Sequence, residues 1–129
     1  MSENRKKRVI TFLEDELREY RILKIKLQQL KQARANMKLD TEAAEIWLKN
    51  ILKNIRACES QIVKIETGLA MCTVEEEELL RNKYFCKPEP NHEKNMMDLC
   101  YGNRNTYYRT RDRAFKKMAL AYGIRTWNE

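Results

Sequence analysis

Apolar residues recur at alternating four- and three-residue steps through the middle of the chain, over four heptads. This spacing places one apolar stripe along a single face of an α-helix and is typical of a coiled-coil seam. A stripe of this length predicts a long helix that packs against another helix. Its members are Ala44, Leu48, Ile51, Ile55, Cys58, Ile62, Ile65, Leu69 and Cys72.

A second, less regular stripe with the same phase precedes the first one. Between the two stripes, Asp40 or Thr41 can cap a new helix. Because short connections usually join antiparallel neighbours, we predict an antiparallel helical hairpin over residues 8–72. The second stripe consists of Val9, Leu13, Tyr20, Leu23, Leu27, Leu30 and Met37, with Glu16 and Arg34 interrupting it at two seam positions.

Further apolar residues lie beside the two seams and widen the apolar surface beyond what one partner helix covers. We therefore expect residues 1–72, the helical hairpin or coiled-coil region, to form a homodimer or to pack against the C-terminal part. These additional residues are Ile10, Phe12, Ile22, Ile25, Ile46, Trp47 and Leu52.

Residues 73–129 have the pattern of a helix-turn-helix domain. Thr73 and Glu76 have the spacing of a capping box, and the helix that they start is expected to end near Phe85, before the prolines of residues 87–90. A short helix after Asn91 and a tight turn at residues 102–103 then lead into a longer basic helix. With few glycines and prolines in the chain, the predicted fold class is all-α.

The last long helix is apolar on one arc and basic on the opposite arc. From residue 100 to residue 117 there are six lysines and arginines and one acidic residue, Asp112, whereas a face that is merely soluble usually mixes both signs. The apolar arc holds Tyr107, Ala114, Phe115, Met118 and Tyr122. The DNA-contact candidates are Arg104, Asn105, Thr106, Tyr108, Arg109, Arg113, Lys116 and Lys117.

The candidates are expected to divide their roles along the helix. Its first two turns enter a major groove deepest, so Asn105, Thr106 and Arg109 are expected to face base edges. Arginine can bind guanine through two acceptors and asparagine can do the same with adenine, which makes Arg109 and Asn105 the best candidates for discrimination. Arg104 could contact a base or a phosphate, Tyr108 could stack or contact a phosphate, and Arg113, Lys116 and Lys117 are expected to bind phosphates.

Composition agrees with a polyanionic partner. The 129 residues carry a net charge of +7, which favours binding to phosphates through counterion release. The longest uncharged stretch, residues 67–74, is too short to cross a bilayer, and no segment resembles a signal peptide. We therefore expect a cytoplasmic protein that is not bound to a membrane.

No residue pattern indicates an enzyme, a cofactor or a metal centre. His92 is the only histidine, and no serine or cysteine is visibly placed beside a base. A zinc site at Cys86, His92 and Cys100 lacks the usual close ligand pairs, whereas Cys58 and Cys72 look like small core residues. Two charged runs have local explanations. We expect the basic run of residues 5–8 to be a frayed terminus, and the alternative is that it adds affinity for DNA. We expect Glu75 to Glu78 to stabilise the start of a helix, and the alternative is that they contact RNA polymerase.

The C-terminal segments resemble a known group of regulators. Leu79-Leu80-Arg81-Asn82-Lys83-Tyr84-Phe85, then Met96-Met97-Asp98-Leu99, then Asn103 to Arg109 with Arg113-Ala114-Phe115, are similar to the DNA-binding end of phage-encoded RinA/ArpU-type transcriptional regulators. Those regulators look like region four of bacterial sigma factors. The resemblance covers about the last fifty residues and implies control of late or lysis-related phage genes in the cytoplasm of a bacterial host.

Three classes of function follow from these patterns. A sequence-specific transcription regulator would bind double-stranded DNA and contact polymerase. A phage DNA-packaging subunit, similar to a small terminase, would assemble into a ring and bind near a packaging site. A coiled-coil adaptor would carry its positive charge incidentally and would not bind DNA. Oligomer size and DNA binding against nonspecific competitor separate the three.

Overall fold

The computed structural model describes residues 2–38, 40–85 and 104–125, which form four α-helices. The helices are α1 (Ser2–Ala35), α2 (Glu42–Met71), α3 (Val74–Tyr84) and α4 (Arg104–Ala121). No strand occurs in these residues, and the all-α prediction is confirmed. The antiparallel hairpin and the helix-turn-helix remain predictions. The expected short helix after Asn91 and the turn at residues 102–103 lie outside the described residues.

Local capping fixes the starts of α2 and α3. The Thr41 hydroxyl accepts a hydrogen bond from the Ala44 amide at 3.1 Å, so Thr41 caps α2. At the start of α3 the predicted capping box is present in both directions: the Thr73 hydroxyl accepts from the Glu76 amide, and the Glu76 carboxylate accepts from the Thr73 amide. Each such cap satisfies backbone donors that the first helical turn leaves without partners.

The middle of α1 packs against the C-terminal half of α2. Tyr20 Oη donates to Glu66 Oε1 at 3.1 Å, and Gln61 Nε2 donates to Glu16 Oε2 at 2.8 Å, which gives the predicted seam interruption at Glu16 a partner. Trp47, in the second turn of α2, is 65% exposed. The buried seam residues of α2 are Ile51, Ile55, Cys58, Ile62, Ile65 and Leu69, with Ala44, Leu48 and Cys72 half-buried.

One apolar core joins all four helices. It contains Leu13 and Leu17 of α1 and Leu79 and Leu80 of α3, all fully buried. The predicted boundary between residues 72 and 73 coincides with the break between α2 and α3, yet side chains from both sides of that break pack together in this core. The predicted packing of the N-terminal region against the C-terminal part is therefore present. The buried members from α4 are Tyr107, Ala114, Phe115, Met118 and Ala119.

Gly68 allows α2 and α4 to approach closely. A methyl group on Gly68 would clash with Met118 Sδ and would lie 3.2 Å from Met118 Cα. The sulfur belongs to a flexible side chain, but the Cα atom belongs to the backbone of α4, so a larger residue would push the two helices apart. The heptad pattern does not include Gly68, which lies beside the seam position Leu69.

We expect Gly68→Ala to lower the free energy of unfolding by about 1–2 kcal/mol. Overpacking destabilises a fold by about 1–3 kcal/mol, and the better helix propensity of alanine offsets up to about 1 kcal/mol of this loss. Urea unfolding of the purified protein measures the change. Thr67→Ala, at the exposed neighbouring position of the same helix, is the control and should be neutral or slightly stabilising. Equal stability of the Gly68→Ala variant and the wild type would contradict a close packing at this point.

Candidate nucleic-acid interface

The structure separates α4 into the two arcs that its sequence predicts. Tyr107, Phe115 and Met118 are fully buried, and Tyr122, just beyond the helix, is half-buried against Phe12, with 5.7 Å between ring centroids. Of the DNA-contact candidates, Arg104, Asn105, Thr106, Arg109 and Arg113 are exposed, and Tyr108, Lys116 and Lys117 are half-buried.

Five of the candidates form one continuous surface on α4, here called the basic face: Asn105, Thr106, Arg109, Arg113 and Lys116. With 100° between successive residues they fall within an arc of about 100°, and they span about 16 Å along the helix. No acidic residue shares this arc. A face of this kind can place cations and amides against phosphates and base edges in a groove.

Arg104 lies at the start of α4, beside the basic face, and stacks on an aromatic ring. Its guanidinium carbon is 5.5 Å from the centroid of the Tyr108 ring, and the Arg111 guanidinium lies 4.8 Å from the same ring. Arg111 Nη2 also donates to Asp112 Oδ1 at 3.3 Å. Cation–π contacts restrict both guanidinium groups, so Tyr108 orients Arg104 and is partly covered itself.

Lys117 differs from its predicted role. Its ammonium group pairs with the carboxylate of Glu76, which is buried at 3% exposure in the first turn of α3. Because a phosphate contact would require breaking this pair and leaving a buried carboxylate uncompensated, we assign Lys117 to the packing of α4 on α3. Sequence spacing placed Lys117 at the edge of the basic arc but could not show that a glutamate lies opposite that edge.

The Glu76 carboxylate is ionised despite its burial. Desolvation raises its pKa, but hydrogen bonds from Lys117 and from the Thr73 amide outweigh this effect, and the pKa lies below the usual value of 4.5. Glu76 thus caps α3 and binds α4 with the same carboxyl group. Glu76 therefore stabilises the start of α3, as predicted for the acidic run, and it also holds α4 in place.

The other edge of the basic face is bound by the N-terminus of α1. Lys6 Nζ donates to Asp112 Oδ2 at 2.7 Å, and Arg5 Nη2 donates to the Arg125 carbonyl at 3.1 Å. The basic run of residues 5–8 is therefore helical and partly docked, and the expectation of a frayed terminus is wrong. Contact with α4 and α1's own helical hydrogen bonds order this segment.

Cys72 does not have the properties of a reactive thiol. Its Sγ donates to the Gly68 carbonyl at 3.4 Å, and burial, together with the nearby Glu76 charge, raises its pKa to about 11. The thiol is therefore protonated at neutral pH. Among the described residues no cluster of three potential metal ligands occurs, and the zinc alternative at Cys86, His92 and Cys100 lies outside them.

Sequence reasoning missed two features of this surface. Leu120 is 53% exposed and continues the basic face by one turn, since it follows Lys116 by four residues. Thr110 is buried, with its hydroxyl donating to the Thr106 carbonyl at 2.9 Å. The helical spacing from Arg109 and Arg113 would have located Leu120, whereas the burial of Thr110 depends on the position of α3.

No family model, curated protein or solved structure matches this chain. In the part of the chain that the structure describes, no helix is long and apolar enough to span a membrane. The function that the resemblance to RinA/ArpU-type regulators implies is therefore a proposal.

We expect Glu76→Gln to lower the free energy of unfolding at neutral pH by about 1–3 kcal/mol, the usual contribution of hydrogen bonds to a charged group. Since the folded pKa of Glu76 is depressed, the carboxylate stabilises the fold above its usual pKa of 4.5 and ceases to do so as the pH falls further. The difference between variant and wild type should therefore shrink below about pH 4.5. Urea unfolding across this pH range measures it.

Glu78→Gln is the matched control for this substitution. Glu78 lies on the same helix and is exposed, so its replacement should change the free energy of unfolding by less than about 0.5 kcal/mol. A Glu76→Gln effect of the same size at every pH would show that the carboxylate charge is not what stabilises the contact between α3 and α4.

Proposed function

We propose that this chain is a sequence-specific DNA-binding transcription regulator that contacts double-stranded DNA through α4. The observation that carries the proposal is the basic face: its side chains are exposed or half-exposed, no acidic residue lies among them, and the opposite arc of the same helix is fixed in the core. A helix held in this way presents a rigid pattern of donors, which groove recognition requires.

The proposed roles follow the position of each residue on α4. Asn105, Thr106 and Arg109 lie in the first two turns and contact base edges, with Arg109 suited to guanine and Asn105 to adenine. Arg113 and Lys116 lie one to two turns further along and bind phosphates, which position the helix without specifying a sequence. Arg104, stacked on Tyr108, contacts a base or a phosphate at the entrance of the helix.

The biological setting of the proposal rests on the resemblance to RinA/ArpU-type regulators. It implies a cytoplasmic protein of a bacterial host cell that acts on late phage genes and contacts RNA polymerase. Glu78 is exposed and is the member of the acidic run proposed to contact a protein partner, whereas Glu76 is buried and paired with Lys117.

A DNA-packaging subunit is the second candidate, because apolar side chains outside the core favour self-association. Ile22, Ile25, Ile46 and Trp47 are each more than half exposed on the α1–α2 pair. Such residues are typical of surfaces that another subunit covers. A ring-sized oligomer in light scattering would favour packaging, and a monomer or dimer would favour the regulator.

We expect Arg109→Ala to weaken binding to the preferred sequence by about 1–3 kcal/mol and to relax the preference at one base position, since a bidentate contact would be lost. Selection of bound duplexes from a random pool, followed by titration of the selected and the random duplexes, measures both effects. Selection from the pool also tests whether the wild type prefers any sequence.

Arg113→Ala provides the comparison for Arg109→Ala. It removes the same charge from the same face, and it should weaken binding to selected and random duplexes alike. Arg21→Ala, an exposed arginine on α1, controls for net charge. Equal losses on selected and random DNA for both α4 variants would contradict the division into base and phosphate contacts, and no shift of any duplex by the wild type would contradict the proposed function.

A further inference from the structure

Apart from the basic run of residues 5–8, most of the positive charge of the chain lies in two separate segments. Residues 104–125 carry seven lysines and arginines and one acidic residue, a net charge of +6. Residues 20–57 carry nine lysines and arginines and three acidic residues, again a net charge of +6. Because the whole chain has a net charge of +7, all remaining residues together are net acidic, at −5. The second basic segment is not used by the proposed DNA contact of α4.

Part of this second segment forms an ordered stripe on α2. Lys49, Lys53 and Arg56 are spaced by four and three residues, so they lie on one face of the helix within an arc of about 60°. This face points away from the buried seam of Ile51 and Ile55. All three side chains are exposed, and the sequence from residue 46 to residue 58 contains no acidic residue.

The three cations form no ion pair in the described part of the fold, although Glu45 precedes Lys49 by four residues and Glu59 follows Arg56 by three. Within residues 2–38, 40–85 and 104–125, none of them forms an ion pair with an acidic side chain. A solvated face of a long helix often carries both signs and forms i,i+3 and i,i+4 ion pairs, as Arg18 does with Asp15 and Glu14 on α1. Three cations in succession without an ion pair leave all three side chains able to bind an external anion.

We propose that Lys49, Lys53 and Arg56 form a second contact surface, here called the α2 stripe, that binds the phosphate backbone of double-stranded DNA. The proposal rests on the proposed DNA binding by α4 and adds a second point of contact to it. From residue 49 to residue 56 the helix rises about 10 Å. One DNA strand presents about three phosphates over that length, so the three cations match one short run of backbone.

The residues beside the α2 stripe favour phosphate over a lipid surface as its ligand. Asn50, Asn54 and Ala57 are exposed beside the α2 stripe. Asparagine amides donate hydrogen bonds to phosphate oxygens, whereas a helix that lies on a membrane needs large apolar residues beside its cations. Ile46 and Trp47 are exposed one turn earlier, so anionic vesicles are the alternative ligand that the experiment must include.

The test measures how the affinity of the full chain for random-sequence duplex DNA changes with salt. Two phosphate contacts from α4 and three from the α2 stripe predict a log–log slope of about −4 to −5. The triple variant K49Q/K53Q/R56Q should bind with a slope of about −2, because three released counterions are lost. Circular dichroism and urea unfolding check that the exposed substitutions leave the fold intact.

The matched control is R21Q/K26Q/K31Q, which removes three exposed cations from different faces of α1 and changes the net charge equally. It should leave the slope close to that of the wild type. As a second measurement, DNA should protect Lys49 and Lys53 from acetylation and should not protect Lys26 and Lys31.

The outcomes separate this proposal from the one on which it rests. In one outcome the wild type binds DNA, Arg109→Ala loses the sequence preference, and the α2 triple variant keeps the salt slope of the wild type. This outcome would overturn the α2 stripe and would support the α4 interface. Equal slope changes in both triple variants would also overturn it, since only net charge would then matter. Binding through the α2 stripe to anionic vesicles and not to duplex DNA would overturn it in favour of a membrane surface.

Discussion

The burial of one side of α4 is the constraint on which the rest of the molecule depends. Tyr107, Phe115 and Met118 fill a core to which α1, α2 and α3 all contribute, and Gly68 lets α2 approach the backbone of α4 at Met118. A helix cannot rotate about its axis without exposing such a stripe, at a cost of about 1.5–3 kcal/mol for each large apolar side chain. The same packing therefore decides which residues of α4 face solvent, and Arg109 and Arg113 are exposed because their positions lie opposite the stripe.

Two ion pairs refine the orientation that the core imposes. Lys6 binds Asp112 at one edge of the basic face, and Lys117 binds Glu76 at the other. These pairs are unequal. Both members of the first are about a third exposed, so water screens it and it contributes little to stability. The second includes a buried carboxylate that also caps α3, so losing its cation would leave an uncompensated charge at a helix junction. The Glu76 edge is therefore the firmer of the two.

The sequence predicted those features that one helix determines alone. The capping box of Thr73 and Glu76 and the buried side of α4 follow from spacings of three and four residues, and both are present in the structure. Features that require two helices could not be predicted. The role of Lys117 depends on which residue of α3 lies opposite it, and the order of residues 5–8 depends on Asp112 and Arg125, more than a hundred positions away. Gly68 was missed because its importance lies in the distance to α4 rather than in its place in a heptad.

The basic face is electrostatically asymmetric, and the asymmetry decides where a nucleic acid can approach most closely. Arg113 lines a shallow cleft with Glu75 and Glu76 of α3, so a phosphate near Arg113 also lies close to these two carboxylates, of which Glu76 is paired with Lys117. Asn105 and Arg109 lie up to two turns nearer the start of α4, and the one acidic residue of that helix, Asp112, is paired with Lys6 and Arg111. Since exposed charges are screened beyond about 10 Å at moderate ionic strength, the carboxylates act mainly on Arg113. Under the proposed function, the first two turns of α4 are thus the part of the helix best suited to close contact with DNA, and the end nearest α3 is suited to a looser, solvated contact.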